Sequence, residues 1–524
     1  MPWIAQSLDD ELRRYRRLVV RLLAAFALTA LPGIVAVQPY TQISAGENHT
    51  CALLDSGAVH CWGGNERGQL GNGASGSGTQ SPEPVCVQNV STAAHIAAGR
   101  EHNCAALKDG AVRCWGYNFR GQLGNGLTAP SPTPVTVVGV SNAVEVRVSS
   151  FHACARLTDG SVRCWGRGTG GASGQDSYTH SILPVNLLGF GPGGPASQLA
   201  LGAEHTCLLS QARQVFCTGR NDFGQISGTD ISRARMSSVP ISNVDDIAVG
   251  AYHSCARSGG TVSCWGDNSQ GQLGDGTLGG TRNSPGLVLG ISDAIAIAAG
   301  RHHTCALLAP GNVVSLSSVK CWGNNSTGQL GDDNSGGVSP TPVTVANLGG
   351  GGATARVIAA GYQHSCARLT DHTVQCWGGN SYGALGDGSY ISSVQPKSVV
   401  GLLAAASGIN VATEIAAGNE TSCTLMSNGG LRCWGLNAQG KGGHGHSGIY
   451  QTTPQYVAAP GCALDFDGDG VTRATTDGVL PVRALRGMSG TAVGSGASGP
   501  GTRGTWPLVR THLEEKCGVT GLAP

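Results

Sequence analysis

Pairs of cysteines recur along the chain, and most pairs are accompanied by a histidine and a tryptophan. The first instance, HTCALLDSGAVHCWGG, begins at His49, and the second, HNCAALKDGAVRCWGY, begins at His102. Histidine and cysteine are common zinc ligands, and two cysteines can also be oxidised to a disulfide. The cysteines of a pair are too far apart for the C-x2-C spacing of zinc sites, and one histidine per repeat would spread around a ring. The pattern therefore favours structural disulfides and structural histidines bonded to a neighbouring backbone over a metal centre.

The cysteine spacing predicts that each pair staples a β-hairpin. Cys104 and Cys114 are symmetric about Asp109, which fits a three-residue turn with Gly110 in the left-handed region. Opposed residues on antiparallel strands lie within reach of a disulfide. We expect eight such bridges, the fifth across a two-residue turn at 259–260: Cys51–Cys61, Cys104–Cys114, Cys154–Cys164, Cys207–Cys217, Cys255–Cys264, Cys305–Cys321, Cys366–Cys376 and Cys423–Cys433.

An acidic motif near the C-terminus could bind a metal ion. In CALDFDGDGVTRATTDG, which begins at Cys462, carboxylates stand at the positions that ligate calcium in an EF-hand loop. The expected ligands are three side chains, a backbone carbonyl and an acid one residue later than usual: Asp465, Asp467, Asp469, Val471 and Asp477. The segment resembles a dockerin-type or EF-hand loop followed by a helix at 476–486, and it predicts Ca²⁺ as the cofactor. The alternative is an acidic turn without metal.

The elements that position these residues come from an internal repeat. Each unit of about 50 residues joins the hairpin to a glycine-rich N-x-x-G-Q-L-G segment and a Pro-flanked valine run such as PTPVTVV at 132–138. Four short strands per unit are typical of a propeller blade. The strand alternation puts the tryptophans between blades: Trp62, Trp115, Trp165, Trp265, Trp322, Trp377 and Trp434. Thr218 stands at this place in the fourth unit, and a looser joint is expected there.

The motif H-x-C-A-L…V-x-C-W-G-x-N-x-x-G-Q-L-G resembles the repeat of the regulator of chromosome condensation family, and more closely its exported bacterial members. The resemblance covers residues 41–458 and implies an all-β propeller. That family usually has seven blades, whereas eight units are visible here, so eight blades are favoured and seven remain the alternative. The nuclear member exchanges nucleotide on a small GTPase, which the resemblance implies as an alternative function.

The ends of the chain predict export and two further segments. Five arginines precede the apolar run LLAAFALTALPGIVAV, which indicates a signal peptide or, if uncleaved, a membrane anchor at 1–37. The propeller follows at 38–458, and a small helical calcium-loop domain at 459–524 includes a Gly/Ser-rich linker at 487–504. The 19 cysteines suit an oxidising compartment, so the protein is expected to be secreted, periplasmic or on the cell surface. Cys462 and Cys517 would pair, leaving Cys86 over.

The predicted function is a noncatalytic, monomeric binding scaffold for a protein or glycan partner. A formal charge of +1 and few charged residues give no basic face for nucleic acid. No G-x-S-x-G elbow, phosphate loop or H-E-x-x-H motif is present. An enzyme would show converging polar side chains in one pocket, and a binder would show apolar or aromatic loop tips on one face. The irregular loops are the candidates for recognition: 74–80, 168–180, 189–197 and 308–318.

Overall fold

A computed structural model of the chain describes residues 39–458, except 169, 175–177, 188–193, 231, 310–317, 350–351, 403–410 and 449. The predicted leader at 1–37, the calcium loop and its helix, the linker and the Cys462–Cys517 pair lie outside these residues. Residues 38–460 form one compact unit. This unit is a β-propeller of eight four-stranded antiparallel blades, which confirms the predicted fold class and favours eight blades over seven.

The first four blades use β1 to β16. Their bounds, in chain order, are β1 (Tyr40–Ala45), β2 (His49–Leu54), β3 (Val59–Gly63), β4 (Ser81–Cys86), β5 (Ala93–Ala98), β6 (His102–Leu107), β7 (Val112–Gly116), β8 (Ser131–Thr136), β9 (Ala143–Val148), β10 (His152–Leu157), β11 (Val162–Gly166), β12 (Ser181–Asn186), β13 (Ala196–Leu201), β14 (His205–Ser210), β15 (Val215–Arg220) and β16 (Ser232–Ser238).

The last four blades use β17 to β32 and include one short 3₁₀ helix, Ala438–Gly440. Their bounds are β17 (Asp246–Val249), β18 (His253–Ser258), β19 (Thr261–Asp267), β20 (Thr281–Leu287), β21 (Ala294–Ala299), β22 (His303–Leu308), β23 (Val319–Asn324), β24 (Val338–Thr344), β25 (Ala355–Ala360), β26 (His364–Leu369), β27 (Val374–Gly378), β28 (Ser393–Ser398), β29 (Ala412–Ala417), β30 (Thr421–Met426), β31 (Leu431–Leu436) and β32 (Tyr450–Tyr456).

The first strand of each blade lies nearest the ring centre, because it contacts the first strands of both neighbouring blades. The second and third strands are buried on both faces, as a sheet packed between two others requires; β6 is buried along its whole length. Cys51 and Leu53 pack toward blade 2, whereas Ala52 and Trp62 pack toward blade 8. The two-sided burial expected from the strand alternation is therefore present.

The hairpin turns follow the spacing rules read from the sequence. Gly110 has φ +83°, and a Cβ there would lie 2.4 Å from the backbone nitrogen of Asn142, so a larger residue would be both strained and crowded. Gly259 and Gly260 both have positive φ, as a two-residue turn requires. Arg213 and His372 adopt positive φ at the glycine position of their own turns.

Each blade contains a disulfide between its second and third strands. Cys51 and Cys61 are directly opposed in the β2–β3 register, with Cα atoms 4.1 Å apart. The other seven hairpins have the same arrangement, with Cα–Cα distances of 4.1–4.2 Å. Cys86 is not in a disulfide and is partly buried. The pairs close short loops, so each restricts the unfolded chain by up to about 3 kcal/mol.

Among the described residues, no strand is exchanged when the ring closes. Each blade consists of four consecutive strands, so the described contacts at the joint between blades 8 and 1 are packing and hydrogen bonds. One of these bonds runs from the Tyr40 backbone nitrogen to the Gly429 carbonyl at 2.8 Å. Among the described residues, no helix is long and apolar enough to cross a membrane.

Candidate functional site

In seven of the eight blades, a tryptophan bonds to the blade before it. Trp115 of blade 2 is fully buried, and its indole Nε1–H donates to the carbonyl oxygen of Gln69 in blade 1 at 3.0 Å. The acceptor is the residue at the glutamine position of the G-Q-L-G segment. Six further joints repeat the bond over 2.8–3.0 Å, the donors and acceptors being Trp62–Lys441, Trp165–Gln122, Trp265–Gln225, Trp322–Gln272, Trp377–Gln329 and Trp434–Ala384.

The same carbonyl accepts a second bond, which brings in the histidine. Ser254 Oγ of blade 5 donates to the Gln225 carbonyl at 2.9 Å and lies 3.0 Å from Nε2 of His205 in blade 4. Because the hydroxyl proton goes to the carbonyl, the hydroxyl must accept from the histidine, so His205 carries its proton on Nε2. Five other pairs span joints in this way: His49–Asn103, His152–Thr206, His253–Thr304, His303–Ser365 and His364–Ser422.

These histidines are neutral structural residues. Burial is the largest cause that lowers the pKa of His205 and His253 to about 3 and of His49 and His364 to about 4. Each ring bonds to a side chain of the next blade, so the expected backbone partner is wrong, although the structural role holds. Among the described residues, no three His, Cys, Asp or Glu side chains converge on a metal position.

Sequence reasoning missed the residue between His and Cys in the H-x-C motif. It is the Asn, Ser or Thr that links the histidine to the carbonyl of the neighbouring loop. A small polar residue at this place in a strand that is otherwise apolar was the available signal. Its partner lies about 50 residues away in sequence, and only the assembled ring brings the two side chains together.

Two joints depart from this arrangement. In blade 3, Ala153 stands in place of the polar residue that the histidine of the preceding blade bonds elsewhere, and no hydrogen-bond partner of either His102 ring nitrogen is described. Burial lowers the pKa of His102 to about 3. Blade 8 has Thr421 in place of the histidine, and its Oγ1 donates to the Leu436 carbonyl within the same blade at 3.1 Å. The joint between blades 8 and 1 thus lacks the histidine bond.

The joint between blades 3 and 4 replaces tryptophan with other apolar side chains. Thr218 Oγ1 donates to the Gly171 carbonyl at 3.0 Å. Leu208 and Phe216, which are paired across β14 and β15, pack into the joint with Met236. Leu208 stands where blades 1, 2 and 3 have Ala52, Ala105 and Ala155. We expected a loosely packed joint here, but large apolar side chains at neighbouring positions fill the space that the tryptophan takes in other blades.

The two faces of the ring carry different loops. We call the side with the turns between first and second strands, and the loops between third and fourth strands, the loop face. The other side, with the hairpin turns and the connections between blades, is the turn face. The four candidate recognition loops divide between them: 74–80 and 168–180 belong to the loop face, 189–197 and 308–318 to the turn face. Parts of the last three lie outside the described residues.

An asparagine fixes the course of most loops on the loop face. Asn65 Oδ1 accepts from the Leu70 backbone nitrogen at 2.9 Å, and its Nδ2 donates to the Ala74 carbonyl at 3.0 Å. The corresponding asparagines of the other blades, except blade 3, make the same pair of bonds: Asn118, Asn221, Asn268, Asn325, Asn380 and Asn437. These two bonds fix the backbone of each loop on either side of its tip.

Aromatic residues outside the core concentrate on the loop face. Among the described Tyr and Phe residues, Tyr40 and Phe216 are in the core and Tyr456 is exposed on the turn face. All the others lie on the loop face or at its edge: Tyr117, Phe119, Phe151, Tyr178, Phe223, Tyr252, Tyr362, Tyr382, Tyr390 and Tyr450. Protein-binding surfaces are enriched in such side chains.

Arginines stack on several of these rings and cross the joints between blades. The guanidinium carbon of Arg67 in blade 1 lies 5.8 Å from the ring centroids of both Tyr117 and Phe119 in blade 2. Arg301 of blade 6 lies 4.1 Å from the ring centroid of Tyr362 in blade 7. Guanidinium groups at such distances are attracted to the faces of aromatic rings.

A groove between blades 6 and 7 lies on this face and has a volume of about 490 Å³. It is lined by hydroxyl side chains, by Ile391 and Val394, and by Lys397 and one carboxylate, Asp387. Asp387 Oδ1 already accepts from Asn380 Nδ2 at 3.2 Å and from Ser389 Oγ at 2.9 Å. The lining pairs no nucleophile with a general base, and a single bonded carboxylate does not form an acid–base pair.

Comparison with known proteins assigns the repeats. The "Regulator of chromosome condensation (RCC1) repeat" models match residues 40–69, 93–122, 143–175, 196–225, 244–272, 294–329, 356–384 and 412–441, and a second model matches 56–106, 109–156, 259–307 and 318–368. Together they cover more than half of the chain.

Curated relatives and solved structures agree with this assignment. The chain is 30% identical over 275 residues to human "Probable E3 ubiquitin-protein ligase HERC6", covering 50% of this chain and 25% of that protein. It is 30% identical over 272 residues to "Ultraviolet-B receptor UVR8" of Arabidopsis thaliana, covering 49% and 57%. The chain therefore spans less than two thirds of either relative.

The fold matches two solved propellers. Prp20p of Saccharomyces cerevisiae superposes with a TM-score of 0.54 at 21% identity, over 74% of this chain and 91% of that one. Human WBSCR16 superposes with a TM-score of 0.56 at 20% identity, over 69% and 96%. These likenesses show the fold alone. With eight repeats matched and eight blades formed, the chain belongs to the regulator of chromosome condensation (RCC1) repeat family.

Proposed function

We propose that this chain is a noncatalytic binding scaffold, exported from the cytoplasm, that recognises a partner protein through the loop face. The observation that carries the proposal is the concentration of aromatic side chains on that face, with arginines stacked on them. The asparagine-held loops and the stapled blades provide a rigid support, so little entropy is lost when a partner binds.

A protein partner suits the surface better than a glycan. Sugars pack against open aromatic faces, whereas guanidinium groups occupy several rings here. Phe151 has both Arg100 and Arg167 near it, at 5.8 and 5.0 Å from the ring centroid. Arginine and tyrosine are among the residues that dominate the binding energy of protein interfaces. Relatives of this fold include Prp20p, whose structure is described with its binding to Gsp1p and histones.

Site-specific photocrosslinking tests the proposal. A benzophenone amino acid is placed at Phe223 or Tyr252 on the loop face, and at Tyr456 on the turn face as the matched control. The full chain is expressed in its own host and irradiated. Discrete protein adducts are expected from the loop-face positions and not from Tyr456. Adducts from Tyr456 alone, or none from either face, would overturn the proposal.

The alternative, nucleotide exchange on a small GTPase, makes different predictions. It needs a cytoplasmic protein, so the cysteines would be largely reduced. Fractionation of expressing cells with thiol counting by mass spectrometry separates the two, because export predicts oxidised hairpin cysteines. Stimulated release of a fluorescent guanine nucleotide from a GTPase of the same host would favour exchange instead.

Calcium binding at Asp465, Asp467 and Asp469 belongs to the same proposal, since extracellular calcium would fill even a weak site. Calorimetric titration of the full chain with Ca²⁺ is expected to show binding that is lost in Asp467→Asn. Equal binding by both proteins would reject this loop as the calcium site.

A further inference from the structure

One group of apolar departures from the repeat lies on the loop face, where blades 2 and 3 meet. Phe119 follows Asn118, where blades 5, 6 and 7 have Ser269, Ser326 and Ser381 after the corresponding asparagine. It is 54% exposed. Leu127 occupies a place held by Thr277, Asn334 and Ser389 in those blades, and it is 61% exposed.

The outer strand of blade 3, β12, carries two more exposed apolar residues that depart from the repeat. β12 begins Ser-Ile-Leu-Pro, whereas β8 begins Ser-Pro-Thr-Pro and β4 begins Ser-Pro-Glu-Pro. Ile182 and Leu183 are therefore large apolar residues at positions held by proline, threonine or glutamate in the neighbouring blades. They are 38% and 43% exposed, so neither serves the core.

The loop that carries Phe119 and Leu127 contacts the start of the strand that carries Ile182 and Leu183. The Gly126 backbone nitrogen donates to the Ile182 carbonyl at 2.9 Å, which joins the blade 2 loop to the start of β12. A Cβ built on Gly126 would lie 3.5 Å from Leu183 Cδ2, and one on Gly121 would lie 3.1 Å from Ile182 Cγ2. We call Phe119, Leu127, Ile182 and Leu183 the apolar patch. Large apolar residues exposed together on adjoining segments mark an interface, whereas scattered exposed leucines are ordinary.

Two arginines flank the patch without a carboxylate partner among the described residues. Arg67 lies over the rings of Tyr117 and Phe119, and Arg120 Nη1 is 2.6 Å from Nε2 of His180. Arg100, by contrast, is paired with Glu47 at 2.9 Å. The pKa of His180 is lowered by burial and then by Arg120 and Arg167, which indicates a positive potential beside the patch. Glu66, the neighbour of Arg67 in sequence, is the exposed carboxylate closest along the chain to these two arginines.

We propose that the apolar patch, with Arg67 and Arg120, is the docking site for a protein segment that carries large apolar side chains next to carboxylates. This inference rests on the proposed function and narrows it to one joint and one partner chemistry. The patch would bury the apolar side chains of the partner segment. The guanidinium groups of Arg67 and Arg120 would each bind one of its carboxylates through two parallel hydrogen bonds.

The test selects random peptides displayed on phage against the intact, oxidised full chain. Enriched peptides are synthesised and their affinity is measured by fluorescence polarisation. The patch variant Phe119→Ser/Leu127→Thr/Ile182→Pro uses residues that other blades carry at these positions, so folding should be retained and is checked by thermal unfolding. The control Leu278→Thr/Ile391→Ser removes apolar side chains that are 57% and 76% exposed elsewhere on the loop face.

The enriched peptides are expected to combine Leu or Phe with Asp or Glu. Their affinity should fall at least tenfold in the patch variant and in Arg67→Gln/Arg120→Gln, and change less than twofold in the control. Unchanged affinity in the patch variant, enrichment of basic or purely polar peptides, or no enrichment would overturn this site. If this site failed but the loop-face positions still gave photocrosslinks, the proposed function would remain supported. If the loop-face positions gave no photocrosslinks either, the docking site and the proposed function would both be rejected.

Discussion

At the residue scale, the unpaired His102 shows what the histidine bond contributes. Every other H-x-C histidine uses a hydroxyl or amide of the next blade, but Ala153 stands at that place for His102, and no hydrogen-bond partner of either His102 ring nitrogen is described. Ala153→Ser should supply the missing group, because a serine there could accept from His102 and donate to the Gln122 carbonyl. The free energy of unfolding is expected to rise by about 1 kcal/mol, measured by chemical denaturation.

A matched control distinguishes this bond from a general effect of serine. Ala155 lies two residues further along β10 and is equally buried, but it does not stand at the position between His and Cys in the H-x-C motif. Ala155→Ser buries a hydroxyl without the designed partner and should destabilise the protein by about 1–3 kcal/mol. If both serines lower the stability equally, the His102 environment is not the one described above.

The buried histidines also predict acid sensitivity. Burial lowers the folded-state pKa of these side chains from 6.5 to about 3 or 4. The unfolded chain therefore binds more protons below pH 6.5, and the stability present above that pH is lost as pH falls toward 4. Each histidine should cost roughly 1.4 kcal/mol per pH unit in this window. Calorimetry from pH 7 to 4.5 should show a steep fall in Tm, and a flat Tm would contradict neutral buried histidines.

At the element scale, the sequence is sufficient to predict the hairpins but not the joints. The distance from Cys104 to Cys114 and the place of Gly110 depend on local turn geometry, which is why the register and the positive φ were predictable. The partner of His205 depends on how neighbouring blades pack, and no local rule places Ser254 beside it. The concentration of aromatic residues on the loop face was likewise not predictable, because it requires knowing which loops emerge on the same side of the ring.

The joint between blades 3 and 4 offers a test of how the ring replaces a tryptophan. Leu208 and Phe216 fill the joint beside Thr218, so Thr218→Trp alone should overpack it and destabilise the protein by about 1–3 kcal/mol. Leu208→Ala alone should cost about 2–5 kcal/mol because it leaves a cavity. The double variant recreates the pairing found in the second blade, Ala105 with Trp115, and should recover much of both losses.

Denaturation of the four proteins gives the coupling energy between the two sites. A favourable coupling of at least about 1 kcal/mol is expected, because the indole can occupy the volume that Leu208 leaves and donate to the Ala172 carbonyl. Additive losses would mean that the third blade, which has Gly168 in place of the loop asparagine, cannot present that carbonyl to an indole.

At the scale of the whole molecule, the joint between blades 8 and 1 is the place where the ring is least secured. None of the described strands crosses it, Thr421 replaces the histidine, and Lys441 replaces the glutamine of the G-Q-L-G segment. Lys441 is 1% exposed, and no hydrogen-bond partner of its Nζ is described. Burial lowers its pKa to about 8, partly offset by Glu420 and Glu47.

Lys441→Gln should therefore stabilise the ring at neutral pH. Below pH 8 the amine is charged in both states, and the folded state carries the cost of burying that charge. Between pH 8 and 10.5 the unfolded chain binds the extra proton, so wild-type stability rises and the advantage of the variant shrinks. We expect a gain of roughly 1–3 kcal/mol in the free energy of unfolding at pH 7.

The matched change, Gln225→Lys at the joint between blades 4 and 5, tests where the loss of stability comes from. It comes either from the buried lysine or from the joint between blades 8 and 1. Gln225 is fully buried and no partner of its Nε2 is described, so a lysine there meets the same burial. Glu204 stands at the place of Glu420, but it is already paired with Arg167 and Arg220. The substitution should lower Tm at pH 7 by more than Lys441→Gln raises it, because this carboxylate is less able to offset the new charge. If Gln225→Lys leaves Tm unchanged while Lys441→Gln still raises it, the lower stability comes from the packing of the joint between blades 8 and 1 and not from the buried amine.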